Sequence, residues 1–356
     1  MHILILNWRD PKNPRAGGAE KLNLEILKLF IEKGDSVIWY ACAVNGLPQQ
    51  EDYKGITIIR FGNIITHFLS WPFFLYAKKF GKVNLIIDCI HGIGYLSNLF
   101  APFTKRRILV CEVAKNIWDE MIPFPGNFVG KFLEPIQFFL YASNKFWTIS
   151  TSTKKDIEKM GVNGKNILVL PMGFDAPLNI KPEDKTKFPI ALFVGRLANM
   201  KGIKDAIKAI HLANSNTKTK WTLNIVGRGT PDFEKELKDL VTHLKLDEQV
   251  NFLGYVSEQD KFKEMAKAWV LLVPSSREGW GMIVGEANYV RTQVIGYKSP
   301  GLIDSLVYYS KDNLLVNQQP ENIAECLNKI EKPELIDSKL KPGWKDLQQV
   351  VIRDIT

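Results

Sequence analysis

The most constraining feature of this 356-residue sequence is a regular alternation of short apolar runs with longer amphipathic stretches. The short runs have the length of buried strands, and the longer stretches carry apolar residues at helical spacing. Such alternation predicts a mostly parallel sheet with helices on both faces. In the first half the predicted strands are His2–Leu6, Ser36–Ala43, Asn84–Ile90, Ile108–Cys111 and Phe146–Ser150, and the predicted helices are Ala19–Lys33 and Thr151–Met160.

The alternation stops after Ile167 and restarts at Pro189, with a turn-rich and charged linker between the two series. A chain of this length exceeds one typical core, so two domains are expected, 1–172 and 173–340, with a C-terminal helix in 341–356 packing back on the first. Two α/β domains would face each other across a cleft, with ligands beyond the carboxyl ends of the strands. The second series predicts strands Pro189–Val194, Trp221–Val226, Val250–Leu253, Trp269–Val273, Gln293–Ile295 and Asn313–Val316, and helices Ile203–Leu212, Phe233–Leu244, Glu258–Ala268, Met282–Val290 and Trp344–Ile352.

The composition excludes several classes of protein. A hydrophobic content of 46% with 24% charged residues is typical of a folded chain rather than a disordered one. The net charge of +9 favours an anionic partner, but no helix-turn-helix, zinc-finger or RRM signature indicates nucleic acid. No eighteen-residue apolar run predicts a membrane span, and Met1–Leu6 reads as a strand rather than a signal peptide. The four separated cysteines (Cys42, Cys89, Cys111 and Cys326) are expected to be free thiols, consistent with a cytoplasmic location.

Glycines and basic residues follow several predicted strands of the second half. Arg196 and Lys201 come after the strand that ends at Val194, where two cations can neutralise a diphosphate, although for an isolated pair ordinary solvated charge is the favoured interpretation. A tight glycine turn lets a ligand approach the backbone, and the residue after such a turn can face a planar base. The residues concerned are Gly195, Gly227 and Gly254, followed by Tyr255.

The stretch around Glu278 and Glu286 carries the most specific chemistry. These two carboxylates lie on either side of a glycine-broken turn, between a predicted strand and a predicted helix. A helix start presents backbone N–H groups to an anion, and the carboxylates can accept hydrogen bonds from the hydroxyls of a sugar or ribose. The alternative is an ordinary strand-to-helix turn with two solvated glutamates.

Taken together and in this order, these motifs resemble those of the retaining glycosyltransferases of family 4, which have the GT-B fold of two Rossmann-like domains. The resemblance is strongest over Pro189–Val307 and is weaker in the first half. The matching segments are Phe193-Val-Gly-Arg-Leu, Lys201-Gly202, Val226-Gly227-Arg-Gly229, Phe252-Leu-Gly-Tyr-Val-Ser, the E-x7-E element from Glu278 to Glu286, Gly17-Gly18-Ala19-Glu20 and Leu170-Pro-Met-Gly-Phe-Asp.

The resemblance implies a nucleotide-diphosphate sugar as donor substrate, with neither a metal nor another cofactor. Arg196 and Lys201 would hold the pyrophosphate and stabilise the leaving nucleotide, Glu286 would bind the ribose, and Glu278 would hold the donor sugar. The backbone of the two glycine turns would complete the phosphate and sugar site. Those backbone positions are Gly17, Gly18, Gly279, Trp280, Gly281 and Met282.

One position departs from the family pattern. Family members commonly have a histidine at the end of a strand in the first domain, and the matching place here holds Cys111, followed by Glu112. His91, at the end of the preceding predicted strand, is an alternative catalytic residue. A loop histidine with a local hydrogen bond explains His91 equally well.

Two aromatic segments of the first half bear on the acceptor, which the resemblance implies to be a lipid-linked or other glycan precursor. Phe61–Tyr76 and Phe128–Tyr141 are rich in aromatic residues, and Lys105-Arg106-Arg107 adds positive charge. Helices of this composition either lie in an anionic membrane interface or cover the parallel sheet.

Two other functions stay open. A nucleotide-sugar 2-epimerase of the same fold needs acid and base groups around the sugar, and a chain with five histidines offers few. A catalytically silent nucleotide-sugar-binding subunit fits Cys111, but not the intact Glu278, Glu286, Arg196 and Lys201. A dinucleotide-dependent dehydrogenase is disfavoured because no G-x-G-x-x-G opens the first helix.

Overall fold

The structure, a computed structural model, describes residues 1–63, 71–115, 118–121, 123–177, 180, 185–216, 220–337 and 342–355. The chain divides into two compact units. Unit 1 comprises Met1–Met172 together with Trp344–Thr356, and unit 2 comprises Gly173–Gly343. In the described part of the chain, no helix is both long enough and apolar enough to cross a bilayer.

Unit 1 is built on one sheet, which has eight strands among the described residues, in the order β3-β4-β2-β1-β5-β6-β7-β8. All neighbouring strands are parallel except β3 and β4, which form an antiparallel pair at one edge. The strands are β1 (His2–Leu6), β2 (Ser36–Ala41), β3 (Gln50–Tyr53), β4 (Ile56–Arg60), β5 (Leu85–Ile90), β6 (Lys105–Val110), β7 (Lys145–Thr148) and β8 (Ile167–Val169). The helices are α1 (Gly18–Glu32), α2 (Trp71–Ala77), α3 (Ser97–Phe100), α4 (Trp118–Met121), α5 (Gly126–Tyr141) and α6 (Thr151–Lys159).

Unit 2 has a parallel sheet of six strands among the described residues, in the order β11-β10-β9-β12-β13-β14. This is the strand order of a dinucleotide-binding Rossmann sheet, 3-2-1-4-5-6. The strands are β9 (Ile190–Val194), β10 (Thr222–Val226), β11 (Val250–Gly254), β12 (Val270–Val273), β13 (Gln293–Tyr297) and β14 (Leu314–Val316). The helices are α7 (Ile203–Asn216), α8 (Pro231–His243), α9 (Glu258–Lys267), α10 (Met282–Tyr289), α11 (Leu302–Tyr309) and α12 (Pro320–Lys329).

The helices of unit 2 form where the apolar spacing and the capping residues direct them. In α7 the apolar side chains of Ile203, Ile207 and Ile210 are fully buried against the sheet. Full burial of each such side chain stabilises the fold by about 1.5–3 kcal/mol. Thr230 begins α8 by accepting a hydrogen bond from the Phe233 amide, and Pro231 occupies the first turn, where no amide donor is needed.

The last helix of the chain, α13 (Lys345–Ile355), belongs to unit 1 although unit 2 precedes it in sequence. Leu347 and Val351 are fully buried, and α13 contacts α1. Asp354 fixes the end of this helix, because it pairs with Arg107 and accepts a 2.9 Å hydrogen bond from the indole nitrogen of Trp147. Unit 1 is therefore assembled from two separate stretches of sequence.

Several elements were not predicted from the sequence. The hairpin β3–β4 and the three-residue strand β8 in unit 1, and helices α11 and α12 in unit 2, are additional. The residues of β3, Gln50–Tyr53, alternate between exposed and half-buried at the edge of the sheet. They therefore lack the apolar run that identifies the central strands.

Candidate active site

The candidate site of unit 2 lies at the carboxyl edge of its sheet, beyond β9 and β12. These two strands are neighbours, with Leu192 opposite Leu271, but the chain leaves them toward opposite sides of the sheet. In parallel α/β sheets such a reversal of strand order leaves a crevice in which ligands bind. The segment after β9 contains Gly195, Arg196 and Lys201, and the segment after β12 contains Ser275 and Glu278.

An ion pair joins these two segments. The ammonium nitrogen of Lys201 lies 2.6 Å from Oε1 of Glu278, and the Ser275 hydroxyl donates to the same oxygen at 2.8 Å. Both members of the pair are largely buried. The two segments are also joined through their backbones, because the amide of Ser276 donates to the carbonyl of Met200 at 3.0 Å. Glu278 is thus held in one orientation before any ligand binds.

Gly202 explains how the two segments come so close. Its φ of +70° is in the left-handed region, and a Cβ atom there would lie 1.9 Å from the carbonyl oxygen of Pro274. Any side chain would therefore separate the segment after β9 from the segment after β12. The Lys201–Glu278 pair depends on this glycine.

The glycines that follow β9 and β10 bring strand ends together. The Gly195 amide donates to the Val226 carbonyl at 3.0 Å, and the Gly227 amide donates to the Gly254 carbonyl at 2.8 Å. A Cβ atom on Gly227, whose φ is +147°, would lie 1.8 Å from the carbonyl oxygen of Gly195. Gly227 is therefore required for the close approach of these two strand ends, and its contact with a ligand stays a prediction.

Arg196 and Tyr255 lie at the same edge and are exposed. Arg196 makes no ion pair with the described residues, in contrast to Lys201. The Tyr255 ring has the guanidinium of Arg228 5.9 Å from its centroid. An exposed aromatic face beside a cation can stack against a nucleobase.

Glu286 lies in α10 and forms the second ion pair of the site. Its Oε2 atom is 2.8 Å from the ammonium nitrogen of Lys261 in α9, and both side chains are largely buried. Burial raises the pKa of Glu286 above its ordinary value, and the charge of Lys261 opposes that rise. Burial disfavours the charge of Lys261, but Glu286 and Glu258 outweigh this and raise its pKa. Each of the two residues therefore stabilises the charged form of the other at a position with little access to solvent.

The turn before α10 is fixed by the buried side chain of Trp280, whereas its backbone amides at the start of the helix are accessible. Trp280 is buried, and its indole nitrogen donates to the Tyr309 hydroxyl at 3.0 Å, while burial raises the pKa of Tyr309 to about 12. Gly279 is half-buried, Gly281 precedes the helix, and Met282 begins it. Since Gly281 has no side chain to cap the helix, the first amides of α10 are available to water or an anion.

In unit 1 the corresponding edge lies beyond β1 and β5, which are also neighbours. Trp8 and His91 follow these strands, with ring centroids 5.8 Å apart. Cys111 follows β6 beside His91, because Ile90 pairs with Val110. Burial raises the pKa of the Cys111 thiol to about 12, so this thiol is neutral near pH 7.

The Gly17-Gly18 turn opens α1, as its sequence predicts, but its first amide is already bonded. The Gly17 amide donates to the Glu20 carboxylate at 2.7 Å, and Gly18 is the first residue of the helix. Burial raises the pKa of Glu20, while hydrogen bonds such as that from Gly17 oppose this. Among the described residues, no group of three or more His, Cys, Asp and Glu side chains is placed to hold a metal.

Helix α5 buries Phe138 and Tyr141 against the sheet, but it also buries two polar side chains and exposes three phenylalanines. Phe128, Phe132 and Phe139 are 69%, 66% and 76% exposed, whereas Glu134 and Gln137 are buried. Glu134 accepts hydrogen bonds from the amides of Ala114 and Lys115 and from the indole of Trp118. The sheet-covering interpretation was therefore wrong for the three phenylalanines. In the segment Phe61–Tyr76, residues 64–70 lie outside the described residues.

Comparisons with known proteins agree with this architecture. Residues 176–343 match the family model described as Glycosyl transferases group 1. An uncharacterised glycosyltransferase of Methanocaldococcus jannaschii is 25% identical over 361 residues, covering 93% of this chain and 89% of that protein. Sucrose-phosphate synthase from Thermosynechococcus elongatus has a TM-score of 0.75 at 18% identity, covering 99% of this chain and 93% of its own.

The fold is GT-B. The structure of Anabaena HepE in complex with UDP-glucose has the same fold, with a TM-score of 0.67, 18% identity, and 99% and 94% of the two chains covered. The family match and the relatives support a glycosyltransferase with this GT-B fold, and they do not favour the epimerase or the silent subunit.

Two residues of the site were not singled out from the sequence. Ser275 lies in the motif segment itself, three residues before Glu278, at the spacing of a local side-chain bond. Lys261 has no such signal, because it approaches Glu286 from a different helix. Ser275 could therefore have been found from the sequence, whereas Lys261 is recognised only from the packing of α9 against α10.

Proposed function

We propose that this chain is a retaining glycosyltransferase of family 4, which transfers a sugar from a nucleotide-diphosphate donor to a lipid-linked or other glycan acceptor. The observation that carries the proposal is the Lys201–Glu278 pair at the point where the strand order of unit 2 reverses. A cation and a carboxylate at this point match the two chemistries of the donor, a pyrophosphate and a polyhydroxylated sugar.

Lys201 would bind the pyrophosphate and Glu278 the hydroxyls of the transferred sugar. The pairing in the free protein keeps both charges ordered, so donor binding would need little rearrangement of either side chain. Charge develops on the leaving nucleotide diphosphate as the glycosidic bond breaks. A fixed ammonium next to that group stabilises the transition state more than the ground state. Exposed Arg196 would add a second cation.

Glu286 would accept hydrogen bonds from the ribose, and Tyr255 would stack on the base. The ionised carboxylate accepts hydroxyl hydrogen bonds through both oxygens and more strongly than the neutral carboxyl group. Lys261 favours that form in a buried place where the carboxyl would otherwise be more readily protonated. Lys261 is therefore a positioning residue in this proposal, because it acts through Glu286.

The proposal needs no metal, since Lys201, Arg196 and the first amides of α10 would balance the diphosphate charge. Transfer is accordingly expected to be unchanged by EDTA. A loss of transfer with EDTA that is restored by Mg²⁺ or Mn²⁺ would contradict this part.

Unit 1 would bind the acceptor, and α5 would contact an anionic membrane surface at which a lipid-linked acceptor resides. The support is the exposed stripe of Phe128, Phe132 and Phe139 on the outer side of this helix. A helix with an exposed apolar face and nearby basic residues is typical of interfacial binding. The enzyme would then act in the cytoplasm, at the membrane face.

The direct test begins with a thermal-shift screen of nucleotide-sugars on the full chain. A ligand that binds the folded state raises the melting temperature by mass action. The donor is therefore recognised as the nucleotide-sugar that raises the melting temperature most, and no acceptor is needed. The best donor is then incubated in radiolabelled form with glycan and lipid acceptors. NMR of the product should show the anomeric configuration of the donor.

Two outcomes would overturn the proposal. An inverted anomeric configuration would exclude the retaining mechanism while leaving the transferase intact. Failure of every nucleotide-sugar to stabilise the protein, together with no transfer, would exclude the donor site itself.

A further inference from the structure

A cavity of about 620 Å³ lies in unit 1 at the amino-terminal edge of the sheet, where β6 and β7 begin. This is the edge opposite to Trp8, His91 and Cys111. Its lining includes the first residues of both strands, Lys105 and Lys145, and the end of α13. The cavity is thus separate from the residues assigned to transfer.

Positive charge in this cavity exceeds negative charge. Five cationic side chains line it, whereas Asp354 is the one carboxylate among its described lining residues. Asp354 is already shared, because it pairs with Arg107 and lies 3.8 Å from Lys145. Lys105 donates to a carbonyl, that of Ile355, which carries no formal charge. The five cations are Lys105, Arg106, Arg107, Lys145 and Arg353.

Arg106 shows that the excess charge is not satisfied within the protein. Its side chain is 7% exposed, and its guanidinium donates to the carbonyl of Ala101. The Nε atom is buried and has no hydrogen-bond partner among the described residues. Burial lowers the pKa of Arg106, and Tyr141 and Asp88 oppose this only in part. An anion in the cavity would add negative charge beside this guanidinium.

The excess of positive charge favours phosphate over a carboxylate ligand. Guanidinium groups bind the oxygens of both, but a phosphoryl group carries up to two negative charges and has three oxygens that can engage several cations at once. The rim of the cavity includes Phe103, which is fully exposed, and α5 ends close by, just before Ser143 and Asn144 of the lining. A charged pocket with an exposed aromatic rim fits a phosphate that is carried by a larger molecule.

We propose that this cavity, lined by Lys105, Arg106, Arg107, Lys145 and Arg353, is a binding site for a phosphoryl group, carried either by a lipid headgroup or by a soluble phosphorylated molecule. The site is independent of sugar transfer, and the donor residues of unit 2 take no part in it.

The test uses the full chain with Lys145→Gln and Arg353→Gln combined, because both residues are exposed and Arg106 and Arg107 keep their contacts. The matched control is Lys159→Gln with Lys235→Gln, which removes the same charge from two exposed lysines paired within their own helices. Binding of inorganic pyrophosphate is measured by calorimetry, and for this measurement alone both variants also carry Arg196→Gln and Lys201→Gln, so that the proposed donor site does not bind the probe. Binding of vesicles is measured by flotation, with phosphatidylglycerol in phosphatidylcholine against phosphatidylcholine alone.

The cavity variant should bind the relevant probe about tenfold more weakly than the control variant, since two cations near an anionic ligand are lost. If the cavity variant binds phosphatidylglycerol vesicles more weakly than the control variant but binds pyrophosphate equally well, the ligand is a lipid headgroup. If the cavity variant binds pyrophosphate more weakly than the control variant, the ligand is a soluble phosphorylated molecule. Equal binding of both probes by the two variants would overturn the proposal. Donor-induced thermal stabilisation and transfer to a soluble acceptor should be the same in both variants, so failure here leaves the transferase proposal testable on its own.

Discussion

Each sheet has a point at its carboxyl edge where the order of the parallel strands reverses, and the side chains at that point differ between the two units. In unit 2 two largely buried ion pairs lie there, Lys201–Glu278 and Lys261–Glu286. In unit 1 an indole, an imidazole and a thiol that is neutral near pH 7 lie there, those of Trp8, His91 and Cys111, and the buried ion pair Asp10–Arg60 lies at the end of β4. One architecture thus carries two chemically distinct sets of side chains, and our proposal assigns that of unit 2 to a charged diphosphate sugar.

The largest expected effect tests the charged edge directly. Glu278→Gln keeps the size of the side chain but removes the partner of Lys201, so kcat/KM for transfer should fall by about 100-fold or more. The control is Glu236→Gln, which removes an exposed partner of Lys204 in the same unit. Transfer by Glu278→Gln at the rate of this control would remove Glu278 from the site.

The second prediction compares how the two edges are built. Gly227→Ala should destabilise the protein by roughly 2–3 kcal/mol, because its Cβ would collide with the Gly195 carbonyl. Gly17→Ala should be nearly neutral, since a Cβ atom there has no neighbour within 4 Å. Thermal unfolding measures both. Equal losses of stability would show that backbone contact does not distinguish the edges.

The third prediction concerns the pH dependence of donor binding. Glu286 binds the ribose hydroxyls more strongly when it is ionised, and its pKa is raised by burial, so donor affinity should fall as the pH falls through that raised value. Lys261→Met removes the positive charge that opposes the rise in the pKa of Glu286. The pH at which donor affinity falls on the acidic side should therefore be higher in this variant. At neutral pH, KM should rise about tenfold with a smaller change in kcat.

Lys263→Met is the matched control for this experiment, because Lys263 lies in the same helix and pairs with exposed Asp260. If donor affinity falls at the same pH in Lys261→Met as in the unaltered protein, Lys261 contributes only to the stability of the fold.

The smallest effects are expected in unit 1. His91→Ala should lower kcat by about tenfold if the imidazole acts on the transferred sugar or the acceptor. Cys111→Ala should stay within about twofold of the unaltered protein, because a thiol with a pKa of about 12 cannot exchange protons effectively near pH 7. The opposite ranking would show that the chemistry of unit 1 belongs to Cys111.

Sequence patterns predicted the features whose signal is local. The central strands of both units were predicted to within a few residues, because parallel strands buried on both faces are continuous apolar runs. The turn before α10 was predicted for the same reason, since its glycines and carboxylates are adjacent in sequence. The polar edge strand β3 and the three-residue strand β8 lack such runs.

The features that could not be predicted arise from tertiary contacts. Lys261 is distant in sequence from Glu286, and the contact between Gly227 and the carbonyl of Gly195 joins two different strand ends. In α5 the buried side holds Glu134 beside Phe138 and Tyr141, and Glu134 accepts hydrogen bonds there from a loop. Composition alone does not reveal which side of such a helix is buried.

The assembly of unit 1 from two separate stretches of sequence also has a consequence for folding during translation. Unit 2 is a continuous stretch, so all of its strands are available as soon as the ribosome has passed Gly343. The sheet of unit 1 is synthesised before unit 2, yet the helix that brings Leu347, Val351 and Asp354 to it is translated only after unit 2. Throughout translation of unit 2 the nascent chain therefore carries an uncovered apolar surface and an unpaired Arg107, the kind of surface that chaperones bind.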